Sequence, residues 1–244
     1  RKLPQPVFGT LWYGRGKMSV PNTLVSDRVF ATLLEALLGG RYEPGEKLPT
    51  QRALAADLGV TMSSLREALK RLEQMGLVDV RHGDAMRVRD WREHGGLDVL
   101  AHLLFRGGAV DAGVLAAILE ARALMLRELA GLAAARRTDE QAQRLHELAE
   151  RFAATPEPLE AALVDFAFFT EVAQAAGNLV FELILNAIRD LYFGHLADVP
   201  VTARPQELAP AYTRTARAIA RRDGDGARAA AFELATAQAG QTRA

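Results

Sequence analysis

Few residues in this chain are placed to make or break a covalent bond. There is no cysteine, which removes thiolate nucleophiles, disulfides and thiolate metal sites. The sequence contains no Gly-x-Ser-x-Gly elbow and no dinucleotide-binding glycine pattern. Gly16-Lys17 has the form of a phosphate-loop ending, but the first glycine of that motif falls on Leu11 and its hydroxyl on Met18. The five histidines, His82, His94, His102, His146 and His195, are scattered and pair with no carboxylate at ligand spacing, so His102, His146 and His195 read as surface or packing residues. The expectation is a protein that is not an enzyme and needs no cofactor.

A different chemistry is concentrated in one short run. After Leu58-Gly59-Val60 come Thr61, Met62, Ser63, Ser64, Arg66, Lys70 and Arg71, the outward positions of a helix whose apolar face is Leu65, Ala68, Leu69, Leu72 and Met75. Small hydroxyls at a helix start allow close approach of a phosphate, and the helix dipole favours an anion there. Arg66 is long enough for a guanine edge or a phosphate, and Arg52 lies on the element just before. Further on, His82-Gly83 is a small polar turn suited to a groove.

These residues need supports. Val25, Val29, Leu33 and Leu37 recur every four positions and mark a first helix, ended by Gly39-Gly40. Pro49-Thr50 opens a second, with Thr50 as cap, and Gly59 stops it. Two strand-like runs, 77–81 and 86–89, flank the His82-Gly83 turn as a hairpin. Helix, short helix, glycine turn, helix and hairpin is the order of a winged helix-turn-helix. From residue 111 onward the chain is Ala/Leu/Arg/Glu-rich with helical period, broken at Thr138-Asp139, Pro156/Pro158, Gly177-Asn178, Pro200/Pro205 and Asp223-Gly224. Asn178 is expected to cap the helix starting at Leu179, and the Ala-rich runs read as helix filler. Residues 1–95 carry 15 Lys+Arg and 11 Asp+Glu, and the remainder 15 and 19, so a basic head precedes an acidic body.

The expected fold is mainly α: an N-terminal winged helix-turn-helix with a small β-hairpin wing and a C-terminal all-α antiparallel helical bundle. Its divisions are an arm (1–21), the winged domain (22–90), a linker helix (91–108) and an all-helical sensing domain (109–244). No apolar run is long enough for a membrane span, no secretory signal is seen at the N-terminus, and the absence of cysteine suits a cytoplasmic setting.

The segment Glu43-Pro44-Gly45 through Leu48-Pro49-Thr50-Gln51-Arg52-Ala53-Leu54-Ala55, then Leu58-Gly59-Val60-Thr61, Leu65-Arg66-Glu67-Ala68-Leu69 and Gly76-Leu77-Val78, resembles the DNA-binding module of the GntR family. Arg81-His82-Gly83, Trp91-Arg92-Glu93 and Gly96–Leu100, with Asp165, Ala176-Gly177-Asn178 and Leu191-Tyr192, are similar to the FadR subfamily. The resemblance implies DNA contacts from Arg52, Thr61, Ser63, Ser64, Arg66 and the wing tip His82-Gly83. Met62 departs from it: where many members have an arginine, this chain presents a thioether that packs on a thymine methyl but cannot hydrogen-bond to guanine.

For the helical domain the resemblance implies a small-molecule effector. Many relatives bind a divalent metal there through one Asp and three His. Here Asp165 is followed four residues on by Phe169, Tyr212 lies where another His is due, and the last helix has no His, so no metal is expected and Asp165 is left as a hydrogen-bond acceptor. Arg122 matches an arginine that points into the ligand cavity of relatives, where it can hold a carboxylate or phosphate; the alternative is an exposed arginine on an amphipathic helix. Phe166, Phe168, Phe169, Phe181, Tyr192 and Phe193 are core or pocket lining. The expected partners are a double-stranded operator, an acyl-CoA or smaller carboxylate, and a second copy of the chain. A ligand-independent architectural DNA binder is the other reading.

Overall fold

The computed structural model describes residues 25–80, 86–106, 109–194 and 204–242. The arm 1–21 and the wing tip His82-Gly83 lie outside the described residues. The chain divides into two compact units, one ending at Val88 and the other beginning at Arg89 and including Met75–Leu77.

In the first unit, α1 (Val25–Leu38) buries Val29, Phe30, Leu33, Leu34 and Leu37 against α3 (Met62–Gln74). The short α2 (Gln51–Asp57) supports α3 from the other side with Leu54 and Ala55. Thr50 caps α2, its hydroxyl accepting from the Ala53 N–H at 3.2 Å, and Thr61 does the same for Ser64 N–H at 3.2 Å. Gly59 joins the two helices at φ +63°, a backbone that side chains rarely adopt. The wing is β1 (Val78–Asp79) antiparallel to β2 (Arg87–Val88), with Val78 opposite Val88. Its outer edge is not bare: Gly45 and Leu48 N–H donate to the Val88 and Met86 carbonyls, each at 2.8 Å. The Pro44-Gly45 turn therefore seals the wing as well as introducing α2.

The second unit opens with α4 (Trp91–His94) and α5 (Val99–Leu104), then a second small hairpin, β3 (Phe105–Arg106) and β4 (Ala109–Val110). In the linker region 91–108 the short helix expected around Leu97–Phe105, between Gly95-Gly96 and Gly107-Gly108, is α5; Gly95 ends α4 before it, and a small hairpin follows. The bundle follows: α6 (Ala112–Arg136), α7 (Asp139–Ala154), α8 (Pro158–Ala176), α9 (Leu179–Gly194), α10 (Pro205–Ala220) and α11 (Gly224–Thr242). Each boundary has a local cause. Asp111 caps α6, Thr138 and Gln141 form a reciprocal capping box on α7, Gly177 ends α8 in the left-handed conformation, and Asn178 accepts from Val180 N–H at 3.1 Å.

The Ala-rich runs prove to be more than filler. Ala227, Ala231 and Ala235 form an almost wholly buried stripe on α11, which packs along α6 and its Ala130, Ala133 and Ala134. Small side chains let these two helices approach closely. At the far end of α6, Arg136 donates to the Ala176 carbonyl that ends α8 at 2.7 Å, and Arg137 donates to the Ala220 carbonyl that ends α10. Two helix C-termini, with their partial negative charge and unpaired carbonyls, are thus gathered onto adjacent guanidinium groups.

Gly76 follows α3 at φ +72°, and a Cβ there would stand 2.4 Å from the His94 carbonyl oxygen. Gly76→Ala is expected to lower stability by about 1–3 kcal/mol through the strained φ and that backbone contact. Chemical denaturation of the full chain checks it.

Candidate DNA and effector sites

The outward face of the helix-turn-helix is built as the spacing requires. Arg52, Thr61, Ser63, Arg66 and Lys70 are exposed, while Met62 and Ser64 are half-exposed. Thr61 and Ser64 hydroxyls lie 3.1 Å apart, so both are held at the start of α3. There the first-turn N–H groups of Met62 and Ser63 have no intrahelical acceptor and can meet a phosphate. Arg66 Nε donates to Gln51 Oε1 at 3.4 Å, long enough to orient the guanidinium without immobilising it. Gln51 was invisible to sequence reasoning, since the contact spans fifteen residues and two helices.

Arg71 has a structural partner. The helical period places it outward, but its Nη1 bonds Asp27 Oδ1 at 2.7 Å and its guanidinium lies 3.9 Å from the Phe30 ring centroid. It ties α3 to α1 and is committed to the fold. His146 is a correction: Glu150 stands four residues on, with Nε2 3.2 Å from Oε1, in an exposed helical pair.

In the helical unit four residues from four helices converge. Arg122 of α6 forms an ion pair with Asp165 of α8, Nη2 to Oδ2 at 3.1 Å, with side chains only 18% and 14% exposed. Its Nη1 donates to Gln238 Oε1 on α11 at 2.7 Å, and its guanidinium lies 5.0 Å from the Phe169 ring centroid. Asp165 Oδ1 also accepts from the Tyr212 hydroxyl and, at 2.8 Å, from Gln238 Nε2. That same amide nitrogen donates to the Tyr212 oxygen at 2.8 Å. The directions are mutually consistent. Gln238 accepts from the arginine and donates to the two oxygens, while the phenol accepts from the amide and donates to the carboxylate. Burial, then the neighbouring Asp165 charge, holds the Tyr212 pKa well above its usual value, which keeps the phenol a donor.

Arg122 is therefore not waiting unpaired, because it already has a carboxylate. Of the expected pocket residues, the structure unites Arg122, Asp165, Phe169 and Tyr212; Tyr192 has its side chain outside the described residues. Phe168 and Phe169 are fully packed, with Phe152 stacked on Tyr212 at 3.8 Å between centroids. Gln238 was missed, and its only sequence signal is a long polar side chain in an Ala-rich helix.

These residues do not fit a divalent metal. They supply one carboxylate and no imidazole, and a guanidinium already faces that carboxylate; among the described residues no group of three or more His, Asp or Glu could hold an ion. Protein purified without chelator is expected to contain no stoichiometric zinc, nickel or manganese by elemental analysis. A Tyr212→Phe variant keeps the ring and removes the phenol, and is expected to lose about 1–3 kcal/mol in chemical denaturation, since Asp165 and Gln238 each lose a buried partner.

Residues 25–88 match the bacterial regulatory proteins of the gntR family, and residues 117–237 match the FCD domain. The HTH-type transcriptional regulator Mce2R of Mycobacterium tuberculosis is 40% identical over 211 residues, spanning 86% of this chain and 88% of that protein. The fatty acid metabolism regulator protein of Yersinia enterocolitica is 29% identical over 163 residues, 66% of each chain. The solved structure of Lar from Listeria monocytogenes overlays 89% of this chain and 96% of its own with a TM-score of 0.52 at 17% identity, a likeness of fold alone.

Proposed function

Because the chain belongs to the GntR family of bacterial regulatory proteins, in the FadR-type branch with an effector-binding FCD domain, and is a transcriptional regulator and not an enzyme, we propose that it binds a palindromic operator as a cytoplasmic homodimer and that a small anionic effector modulates this binding. The observation that carries the DNA half is the exposed set Arg52, Thr61, Ser63, Arg66 and Lys70 around the capped start of α3. One short recognition helix reads few bases, so two copies on a two-fold site supply the rest. Met62 replaces a guanine-reading arginine with a thymine-preferring contact, giving this chain its own operator. No helix among the described residues is long and apolar enough to cross a membrane.

The effector half rests on Arg122. It is a part-exposed cation in a mostly apolar setting, with half-buried Val114 and Ile118 eight and four residues before it on the same side of α6, and Phe166 beside Asp165 on α8. That setting suits an anion carrying an apolar portion, an acyl-CoA or another carboxylate. The second reading, an architectural DNA binder with no effector, is favoured by the complete burial of Phe152, Phe168 and Tyr212.

Fluorescence anisotropy on an operator selected from random duplexes tests the DNA half. Arg66→Ala is expected to lose about 1–3 kcal/mol on the selected site. Unchanged affinity and specificity would remove Arg66 from the interface, and a monomer in sedimentation of the operator complex would remove the dimer. For the switch, an effector is expected to change operator affinity roughly 5- to 150-fold. If acyl-CoAs and smaller carboxylates all leave it unchanged, the architectural reading stands instead.

A further inference from the structure

The geometry points to Lys47 and Arg87 as a further DNA contact: a pair of like charges on the outer face of the wing that holds the sugar-phosphate backbone between the groove read by α3 and the groove entered by the wing turn. This rests on the DNA reading above and adds a surface that reads no base but fixes the position of the protein on the duplex.

Residues 45–48 run antiparallel to β2 along the edge of the wing. Leu48 N–H donates to the Met86 carbonyl at 2.8 Å and Val88 N–H to the Glu46 carbonyl at 3.0 Å. These two bonds flank Lys47 and Arg87, which stand directly opposite each other without bonding. In an antiparallel pair this is the closer kind of register, about 4.5 Å between Cα atoms, with both side chains on one face. That face is the outer one, because Lys47 and Arg87 are exposed while Leu48, Met86 and Val88 are buried. Like charges directly opposite repel and destabilise the free protein. The nearby carboxylates offset this only in part. Asp79 stands opposite Arg87 on its other side, and Glu46 turns its Oε2 to the Glu43 N–H at 2.8 Å. Arg87 Nη1 donates to the Gly45 carbonyl at 3.1 Å, which occupies one of its N–H donors and leaves the others. Lys47 makes no side-chain hydrogen bond or ion pair among the described residues.

The pair also lies where a backbone has to pass. Lys47 comes shortly before Thr50, the cap of α2, and Gln51, which bonds Arg66 on the reading helix. Arg87 comes shortly after the His82-Gly83 turn expected to enter a minor groove. At about 3.3 Å per residue, each is within about 13 Å of chain from one of those elements. A major groove and the minor groove beside it are divided by one sugar-phosphate strand. A module that engages both must cross that strand with the surface between its two contacts. There a Lys ammonium and an Arg guanidinium donate to phosphate oxygens, and the phosphate relieves the repulsion between them. Neither needs a base edge, so their contribution is the same for every sequence and falls with salt.

The test is fluorescence anisotropy of the full chain on the selected operator and on one random-sequence duplex, over salt from about 50 to about 200 mM. Lys47→Gln is expected to lower the slope of log affinity against log salt by about 0.9 and to weaken both duplexes equally, about eightfold at about 0.1 M salt. Lys47→Arg keeps the charge and is expected to retain slope and affinity. Arg87→Gln is expected to lower the slope as Lys47→Gln does, whereas Arg87→Lys, which keeps the charge without the Gly45 bond, is expected to retain it. Without DNA, Lys47→Gln is expected to denature no earlier than the unaltered chain at low salt, because it removes a repulsion. An unchanged slope in either Gln variant, a loss confined to the selected operator, or earlier denaturation of Lys47→Gln overturns the backbone contact, while DNA binding through α3 stands. If the unaltered chain binds neither duplex, the contact and the DNA reading fall together.

Discussion

A guanidinium and a carboxylate taken out of water together must be arranged almost completely or not at all. Each loses its hydration, and only their mutual attraction, with hydrogen bonds to the remaining lone pairs and protons, offsets that loss. In this protein the requirement falls on Arg122 and Asp165, and it is met by residues from four helices of one bundle. The apolar contacts around them are far less demanding. The α6–α11 seam combines alanines at one-turn spacing with one close fit, Arg228 lying over Gly131 and bonding Glu128 at 3.2 Å. A slip of one turn between these helices would break that fit and also separate Arg122 from Gln238. The polar network therefore shares the setting of the α6–α11 register with the Arg228 contact.

The same network is organised by a cation of the chain's own, the Arg122 guanidinium. A divalent cation organises its ligands by charge and geometry. A guanidinium supplies a single charge with planar, directional donors. The surrounding side chains suit it: an aromatic face at Phe169, a phenol at Tyr212 and an amide at Gln238, each able to meet a planar cation or its carboxylate.

At the DNA end the controlling constraint is local backbone geometry. Thr50, Gly59 and Thr61 stop and start two helices within twelve residues, which leaves the first turn of α3 exposed. Arg71 and Phe30 then lock the last turn of that helix to α1. That helix is tied to the fold at its last turn and polar where it meets solvent.

What the amino-acid sequence determined alone was everything that acts over a few residues: the helix caps at Thr50, Asp111 and Thr138, the left-handed glycines at 59, 76 and 177, the wing strands, and the outward face of α3. Capping, glycine φ and helical period are properties of neighbours in the chain, so they are written in its order. Tertiary structure alone decided which long polar side chains meet. Gln51 beneath Arg66, Asp27 beside Arg71, the Gly45–Leu48 edge on the wing, and Gln238 closing the network are contacts between residues 15 to 116 apart or between separate elements. It also turned Arg122 from a candidate open cation into one already paired. Periodicity shows which face of a helix a side chain is on; it does not show which residue on another helix stands opposite, because that depends on how the helices pack.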